Sequence, residues 1–378
     1  MRNPFPGTRS TDPLWARLFV VSGAVVMLLS GLSIVGVKVL VAQTTAGIDN
    51  RNLLGGGGVP DNRTSIEGAL NVLLVGIDQR PDNSTDPTRS DSIIMLHVPK
   101  SQDRAYLVSI PRDLLVDVPA YPKNRVKAQR AKINAAFALG WENGGGREGG
   151  FELLAMTVGK LTGVRFNAGA IVDFGGFSRV VEQLGGVDMC IDQRVESRHI
   201  GWDRNGKQAT PYIGVGGETR NPNSTPMVYE PGCRHLKPWE ALDYVRQRKG
   251  LANGDYDRQR HQQQFLKAIV REAEQQGVTS NPLKAVQVMN AAGRALTVDT
   301  QGIPIETWAY TLRNITDNEL TMLKTNGGKV NTVLDPALGA CELLTPESRE
   351  LFEALNADRL DDFVLAHPDF VNAEAAAR

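Results

Sequence analysis

Short apolar runs alternate with segments of helical periodicity through the middle of this chain, and that alternation restricts its fold most strongly. Continuous apolar runs predict buried strands at 71–77, 92–98, 105–110, 170–174 and 187–191. Helical periodicity predicts helices at 131–141, 151–161 and 174–184. Interleaved strands and helices are typical of layered α/β domains. With 378 residues and 41% hydrophobic content the chain can bury a sizeable core, and we expect one large domain.

An uncharged apolar segment precedes that domain. Residues 18–37 (LFVVSGAVVMLLSGLSIVGV) contain no charge and no proline, and their length suits a helix that crosses a bilayer. A cleaved signal peptide is the alternative, since residues 44–46 resemble a cleavage site. Arg2, Arg9 and Arg17 outnumber the single Asp12 before the span, which favours a cytoplasmic N-terminus.

The predicted organisation is that of a single-pass protein of the cell membrane. Gly, Pro and Asn without periodicity, in 55–65, indicate a flexible tether. We therefore predict a cytoplasmic N-terminus at 1–17, a transmembrane helix at 18–40, a tether at 41–66 and an extracytoplasmic domain at 67–378.

Basic residues concentrate in one short segment of an otherwise neutral chain. The 42 Lys and Arg balance 42 Asp and Glu, so the composition does not indicate nucleic-acid binding. Residues 244–264 nevertheless hold Arg246, Arg248, Arg258 and Arg260. Guanidinium groups match phosphate oxygens and keep their charge, so the segment predicts a phosphate site. A solvated helix face is the alternative.

Charged residues also lie where predicted strands begin and end. Asp78 follows the first strand, Arg89 and Asp91 precede the second, and Arg112 follows the third. Carboxylates that meet at the ends of strands can hold a hard divalent cation, so Asp78 and Asp91 predict a Mg²⁺ site, with Mn²⁺ as a substitute. The alternative is that both aspartates only begin turns. Zinc is not expected, because the five histidines show no paired ligand spacing.

Six motifs occur in an order that resembles the LytR-CpsA-Psr family in its actinobacterial form. They are GID with a downstream RSD, SIPRD, KINAAF, VDF followed by LGGVD, YVRQR, and DYDRQRHQQQ. The resemblance covers 71 to the mid-260s and extends more weakly through 281–311. It implies a three-layer α/β/α domain with a central mixed β-sheet, which holds a lipid tail in an apolar tunnel.

The function that the resemblance implies is transfer of a glycopolymer from a polyprenyl diphosphate carrier onto peptidoglycan through a phosphodiester. The chain would then be a transferase of phosphorus-containing groups. The metal ligands carried over are Asp78 and Asp91, and the catalytic residues are Arg89, Arg112 and Asp91. The residues carried over for the diphosphate are Arg89, Arg112, Arg246, Arg248, Asp255, Arg258 and Gln262.

Two other classes of function remain open at this stage. A polyprenyl diphosphate phosphatase or pyrophosphatase would share the arginines and the metal but use water as acceptor. A membrane-tethered lipid-binding or regulatory module would need no chemistry. His261 departs from the family, where many relatives carry arginine, and we expect an exposed helical histidine there.

Three cysteines suit an oxidising compartment if two of them pair. We expect Cys190 to pair with Cys233, although either pairing with Cys341 is an alternative. The favoured bridge would enclose 193–232, a polar segment rich in Gly and Pro. Such a long irregular connection predicts a mobile lid or disorder.

Overall fold

The computed structural model describes residues 49–60, 66–77, 88–213, 219–278, 288 and 296–372. Within those residues no helix combines the length and the apolar character that a bilayer crossing requires. The transmembrane helix predicted at 18–40 lies outside the described residues. All of these residues belong to one compact unit.

Strands and helices alternate through the described chain much as predicted. The strands are β1 (Asp49–Asn50), β2 (Leu70–Ile77), β3 (Ser90–Val98), β4 (Ala105–Ser109), β5 (Leu115–Val118), β6 (Gln129–Lys132), β7 (Ala168–Asp173), β8 (Val187–Ile191), β9 (Val195–Trp202), β10 (Tyr212–Ile213), β11 (Thr219–Arg220), β12 (Thr225–Tyr229), β13 (Gly232–Leu236), β14 (Leu296–Asp299), β15 (Leu320–Lys324), β16 (Thr332–Asp335) and β17 (Gly339–Glu342). The helices are α1 (Ile133–Trp141), α2 (Gly146–Thr162), α3 (Phe174–Gln183), α4 (Pro238–Arg246), α5 (Asp255–Gln275), α6 (Ile305–Thr311), α7 (Pro346–Asn356) and α8 (Leu360–Ala366).

A mixed sheet forms the centre of the domain, in the order β1-β14-β7-β2-β3-β4-β15. The pairs β1–β14, β2–β7 and β4–β15 are parallel, whereas β2–β3, β3–β4 and β7–β14 are antiparallel. The predicted α/β class with a central mixed sheet is therefore confirmed. Because of these directions β2, β4 and β15 end, and β3 begins, at one end of the sheet, which we call the Ser109 end.

Alternate side chains of the sheet enter different apolar clusters. Leu73 and Val75 of β2 join the cluster that contains Phe137 of α1 and Phe151 of α2. Val72 and the partly buried Leu74 join another cluster, with Val270 of α5 and Trp308 of α6. Successive side chains of a strand point to opposite faces, so helices cover the sheet on both sides. The apolar stripe Phe151, Leu154 and Val158 of α2 is fully buried in the first cluster.

Glycines allow α1 and α2 to approach each other closely. A Cβ at Gly140 of α1 would lie 2.2 Å from the backbone oxygen of Gly149 in α2, and one at Gly150 would lie 2.8 Å from the oxygen of Phe137. A larger side chain would separate the helices. This contact fixes α1, whose first turn follows β6 at the Ser109 end.

Part of the predicted tether belongs instead to the folded domain. Leu53 and Leu54 are fully buried, and their backbone N–H groups both donate to Asp299 Oδ2 at 2.8 Å. Asp49–Asn50 extends the central sheet as β1. By composition the glycines at 55–58 favour a flexible linker, whereas Gly57 is buried against Ala155 of α2. The tether boundary at 66 is therefore wrong for 49–60.

The segment 193–232 is also more ordered than expected. Outside 214–218, which are not described, it contains the antiparallel pairs β9–β12 and β10–β11. A buried carboxylate holds it to α4, since Ser197 Oγ and Tyr229 Oη donate to Asp243 at 3.0 and 2.8 Å. The prediction of disorder is wrong for the described part, because a distant aspartate supplies the contacts that the segment lacks on its own; movement as a lid stays a prediction.

The expected disulfide is confirmed. Cys190 of β8 and Cys233 of β13 are opposite each other in an antiparallel pair and are bonded. Cys341 is a free and buried thiol.

Truncating Leu54 tests whether 49–60 is part of the core. We expect Leu54→Ala to lower the free energy of unfolding of a chain without residues 1–46 by about 2–5 kcal/mol, since the side chain is fully buried. Urea denaturation measures this. Leu365→Ala, at a leucine that is 83% exposed on α8, is the matched control and should change it by less than about 0.5 kcal/mol. Equal free energies of unfolding for the two variants would mean that 49–60 is a tether and not part of the core.

Candidate active site

Arg112 lies at the Ser109 end of the sheet, just after β4. Pro111 has no backbone N–H and so ends the strand pairing before it. The guanidinium of Arg112 pairs with the carboxylate of Asp91 in β3, and its Nε lies 3.6 Å from Asp113 Oδ2 and 3.9 Å from Asp255 Oδ1. Burial opposes the charge of Arg112, but these carboxylates outweigh burial and raise the pKa of Arg112. The strand end thus holds one cation among three anions.

Arg258 reaches the same point from the first turns of α5. Its Nη2 donates to the backbone oxygen of Asp91 at 2.7 Å and lies 2.8 Å from Asp255 Oδ1. The side chain is only 7% exposed. Burial lowers the pKa of Arg258, and repulsion from Arg112 and Arg248 acts in the same direction, against attraction from Asp255 and Asp91. An anion that entered here would compensate a charge that the protein itself compensates incompletely.

Two further residues join this group although the sequence reasoning assigned them no role. Asp113 Oδ1 lies 3.4 Å from Lys132 Nζ, and Asp113 Oδ2 lies 3.9 Å from Arg248 Nη1. Asp113 lies in the SIPRD motif and Lys132 in the KINAAF motif. Their position in these family motifs was the sequence signal that could have identified them as site residues. We call the whole set the arginine cluster: Asp91, Arg112, Asp113, Lys132, Arg248, Asp255 and Arg258.

Several buried polar atoms around the arginine cluster have no hydrogen-bond partner among the described residues. Two are donors, the Nε atoms of Arg112 and Arg258. Acceptors at the same strand and helix ends are Asp255 Oδ1, whose approach to Arg258 does not have hydrogen-bond geometry, and Asn134 Oδ1 of α1. Leaving such groups unpaired is costly, so a ligand with both phosphate oxygens and a cation would satisfy them after small side-chain rotations.

The other predicted site residues are placed as follows. Arg89 is exposed and directly precedes β3. Arg246 is the last residue of α4, two positions before Arg248. Gln262 is buried, and its Nε2 donates to the backbone oxygen of Val245 at 3.4 Å, so its amide faces the end of α4. Asp78 lies outside the described residues. The structure therefore brings together Asp91, Arg112, Arg248, Asp255 and Arg258 from the predicted set.

A second ionic network fixes α5, the helix that carries Arg258. Asp192 follows β8 by one residue and accepts from Arg260 Nε at 2.6 Å and from Gln264 Nε2 at 3.1 Å. Arg260 also donates to Asp257 at 2.6 Å, and Asp257 accepts the backbone N–H of Asn253 at 2.8 Å. The network thus ties α5 both to the disulfide-bonded strand and to the loop that follows Arg248.

His261 is part of this network and not of the surface. It is fully buried, its ring stacks on Tyr244 with 4.4 Å between centroids, and its Nε2 lies 3.3 Å from Asp192 Oδ1. The expectation of an exposed helical histidine is therefore wrong. Asp192, which lies 69 positions away in the sequence, supplies the partner that the helical pattern alone could not indicate.

The described part of the chain contains no group of three or more His, Cys, Asp and Glu side chains arranged to hold a metal ion. The oxygens near Arg112 come from carboxylates and an amide, which are the donors that Mg²⁺ prefers. The predicted ligand Asp91 is ion-paired with Arg112, and its predicted companion Asp78 is not described. The donor chemistry fits Mg²⁺, while the ligand pair stays a prediction.

The LytR_cpsA_psr family pattern matches residues 41–355. The chain belongs to this family. The match begins before 49, in agreement with the folded position of 49–60, and it includes every residue of the arginine cluster.

Relatives in other bacteria are named for cell-wall synthesis. The cell wall biosynthesis protein LcpA of Corynebacterium glutamicum is 26% identical over 338 residues, which cover 82% of this chain and 59% of LcpA. The polyisoprenyl-teichoic acid–peptidoglycan teichoic acid transferase TagU of Oceanobacillus iheyensis is 26% identical over 266 residues, 70% of each chain. The Corynebacterium relatives LcpA and LcpB support an actinobacterial type of family member. This chain spans only 59% and 50% of their respective lengths.

Solved structures share the fold. Bacillus subtilis TagV superimposes with a TM-score of 0.55 at 20% identity, over 78% of this chain and 98% of TagV. TagT bound to LIIa-WTA superimposes with a TM-score of 0.52 at 18% identity, over 80% of this chain and 98% of TagT.

The ionic network around Asp192 makes a pH-dependent contribution to stability. Burial opposes ionisation of Asp192, but hydrogen bonds from His261 and Arg260 outweigh it and hold the pKa of Asp192 well below the usual range. A carboxyl whose pKa is depressed in the folded state contributes stability above its unfolded pKa of about 3.9 and loses it as the pH falls further. We expect Asp192→Asn to lower the free energy of unfolding at pH 7 by roughly 1–3 kcal/mol.

Urea denaturation between pH 7 and pH 3 checks this expectation. The difference between wild type and Asp192→Asn should be constant down to about pH 4 and then shrink. Asp362→Asn, at an exposed position of α8, is the matched control and should follow the wild type throughout. A difference that grows on acidification would contradict the assignment.

Proposed function

We propose that this protein transfers a glycopolymer from a polyprenyl diphosphate carrier onto peptidoglycan, with formation of a phosphodiester. Membership of the LytR_cpsA_psr family and the names of its relatives LcpA and TagU support this class of activity. The arginine cluster supports the phosphate chemistry. The predicted anchor at 18–40 would hold the domain on the outer side of the membrane, where both substrates are found.

The single observation that carries the proposal is the burial of Arg258 beside two other arginines. Together with Arg112 and Arg248 it places three guanidinium groups around Asp91, Asp113 and Asp255. A purely structural ion pair would be expected to hydrogen-bond each donor, whereas the Nε atoms of Arg112 and Arg258 have no hydrogen-bond partner among the described residues. A diphosphate offers several anionic oxygens at the spacing that guanidinium groups recognise.

The reaction needs one bond to form and one to break. An acceptor hydroxyl oxygen attacks the phosphorus nearest the glycan, the bridging P–O bond breaks, and polyprenyl phosphate leaves with the electron pair. Such transfers depend mainly on positioning and on cations that stabilise charge on the phosphoryl oxygens. Arg112 and Arg258 would hold those oxygens, Asp255 would orient both guanidinium groups, and Arg248 would complete the positive wall from the loop after α4.

The hydroxyl proton must also leave, and no side chain is assigned to remove it. Asp91, Asp113 and Asp255 all lie next to cations. In these contacts the three carboxylates serve as counterions of the cluster. The departing phosphate is an acceptor that the reaction itself supplies.

A Mg²⁺ ion would be held by Asp91 and Asp78 in this proposal. When bound, it would neutralise charge on the diphosphate. Asp91 pairs with Arg112 through Oδ1, so Oδ2 of the same carboxylate would be the oxygen offered to the ion. Metal dependence is therefore a separate test of the ligand assignment.

Hydrolysis of the carrier is the second candidate, since the same cluster would bind the same diphosphate. Water would then replace the sugar hydroxyl, and free glycan phosphate would be released. A purely regulatory role is a third candidate, and one relative carries the name regulatory protein MsrR of Staphylococcus aureus, at 27% identity over 208 residues. These three candidate functions differ in what accepts the glycan phosphate: peptidoglycan, water or nothing.

Transfer by the full chain is the direct test. We would incubate it with a labelled polyprenyl diphosphate glycan and peptidoglycan fragments, with and without Mg²⁺, and follow label in the fragments and in free glycan phosphate. The proposal expects label in the fragments that depends on the metal. Free glycan phosphate alone would favour the phosphatase, and neither product would favour a binding role.

Two substitutions test the arginine cluster in the same assay. We expect Arg248→Ala and Asp91→Ala to reduce transfer by about 100-fold or more, because the first removes a positive charge from the phosphate site and the second removes a proposed Mg²⁺ ligand. Both side chains are partly exposed, at 35% and 26%, so the thermal midpoint should change by only a few degrees. Arg194→Ala, at an arginine paired with Glu230 outside the cluster, is the matched control. Full activity in either cluster variant would contradict the assignment.

A further inference from the structure

The hairpin of β16 and β17 exposes apolar side chains beside the arginine cluster. Leu334 is 80% exposed, Val330 62% and Val333 37%. Asp335 is the only charged residue of 330–341, and its carboxylate accepts the backbone N–H groups of Ala337 and Leu338 within the turn, at 2.9 and 3.0 Å. Exposed apolar surface of this kind normally marks a contact with another molecule.

The base of this hairpin is joined directly to the cluster. The backbone N–H of Glu342 donates to the backbone oxygen of Asp113 at 2.9 Å. Glu342 Oε1 also accepts from Tyr256 Oη at 2.9 Å and from the backbone N–H of Asn331 at 2.6 Å. Tyr256 follows Asp255 in α5. The hairpin therefore projects from the same end of the sheet as the cluster and is fixed to one of its members, Asp113, and to Tyr256, the neighbour of another.

The chain also enters the sheet at that end. β1 is parallel to β14, β14 is antiparallel to β7, and β7 is parallel to β2. Asp49 is therefore level with Val75, near the end of β2 at the Ser109 end. It lies 12 positions after Val37, the end of the predicted apolar span, a distance of at most about 43 Å in extended chain.

We propose that this hairpin inserts into the surface of the lipid bilayer and thereby brings the arginine cluster to the headgroup region. The inference rests on the proposed function, because a polyprenyl diphosphate presents its phosphates at that level. The exposed Lys329, which precedes Val330, suits anionic headgroups. Short amphipathic elements of this kind add interfacial binding to an anchored protein.

Depth-dependent quenching tests the contact independently of activity. In the full chain, with the buried thiol removed by Cys341→Ala, Leu334→Cys would carry an environment-sensitive fluorophore. The protein would be reconstituted into vesicles of phosphatidylcholine and phosphatidylglycerol, with or without brominated acyl chains. Leu365→Cys, at another highly exposed leucine, is the matched control.

The probe at 334 should lose most of its emission in brominated vesicles, and the probe at 365 should keep nearly all of its own. Equal emission at the two positions would overturn the proposal. Protection of 334 from a water-soluble quencher without quenching by brominated lipid would mean that protein, such as a second copy of the chain, covers the hairpin, and would overturn it too. A chain that does not remain with the vesicles would have the same consequence.

A second variant separates this proposal from the proposed function. We expect Leu334→Asp to reduce transfer from a carrier embedded in vesicles and to leave transfer from a short, water-soluble carrier unchanged. Equal loss with both carriers would contradict a role in membrane contact. If the wild type transfers from neither carrier, the proposed function fails, and the quenching measurement still decides the contact.

Discussion

The charge of Arg258 is buried, and the arrangement at the Ser109 end of the sheet follows from what that burial requires. A desolvated guanidinium is stable only with carboxylates and hydrogen-bond acceptors held close to it. Asp255 comes from the same helix, and the backbone oxygen of Asp91 comes from β3. Since Arg112 and Arg248 repel Arg258, the protein alone does not balance the site, and a bound anion would.

Such an arrangement needs α5 to stay fixed against the sheet. Gln263 does this in the core, where its Nε2 donates to the backbone oxygens of Leu107 in β4 and Leu323 in β15, at 3.0 and 2.8 Å. Asp192 does so on another side of the helix through Arg260 and Gln264. The bond between Cys190 and Cys233 holds the strand that carries Asp192. Bonds at neighbouring positions of one helix thus set the direction in which Arg258 points.

The main strands of the fold and part of the site could be predicted from the sequence, because local patterns determine them. Apolar runs located the main strands, and motifs at strand ends located Asp91 and Arg112. What could not be read depends on partners distant in the chain. The burial of Leu54 requires Asp299, the order of 193–232 requires Asp243, and the burial of His261 requires Asp192. Asp113 and Lys132 were not predicted for the same reason, since only the folded chain shows that a charge of the SIPRD motif faces one of the KINAAF motif.

The central claim is that the arginine cluster binds a diphosphate. The most direct measurement is a crystal structure of the protein with a short-chain polyprenyl diphosphate and Mg²⁺. We expect phosphate oxygens within hydrogen-bond distance of Arg112 and Arg258, with the Nε atoms of both side chains now hydrogen-bonded. A diphosphate bound elsewhere, with the ion pairs of Asp91 and Asp255 unchanged, would contradict it.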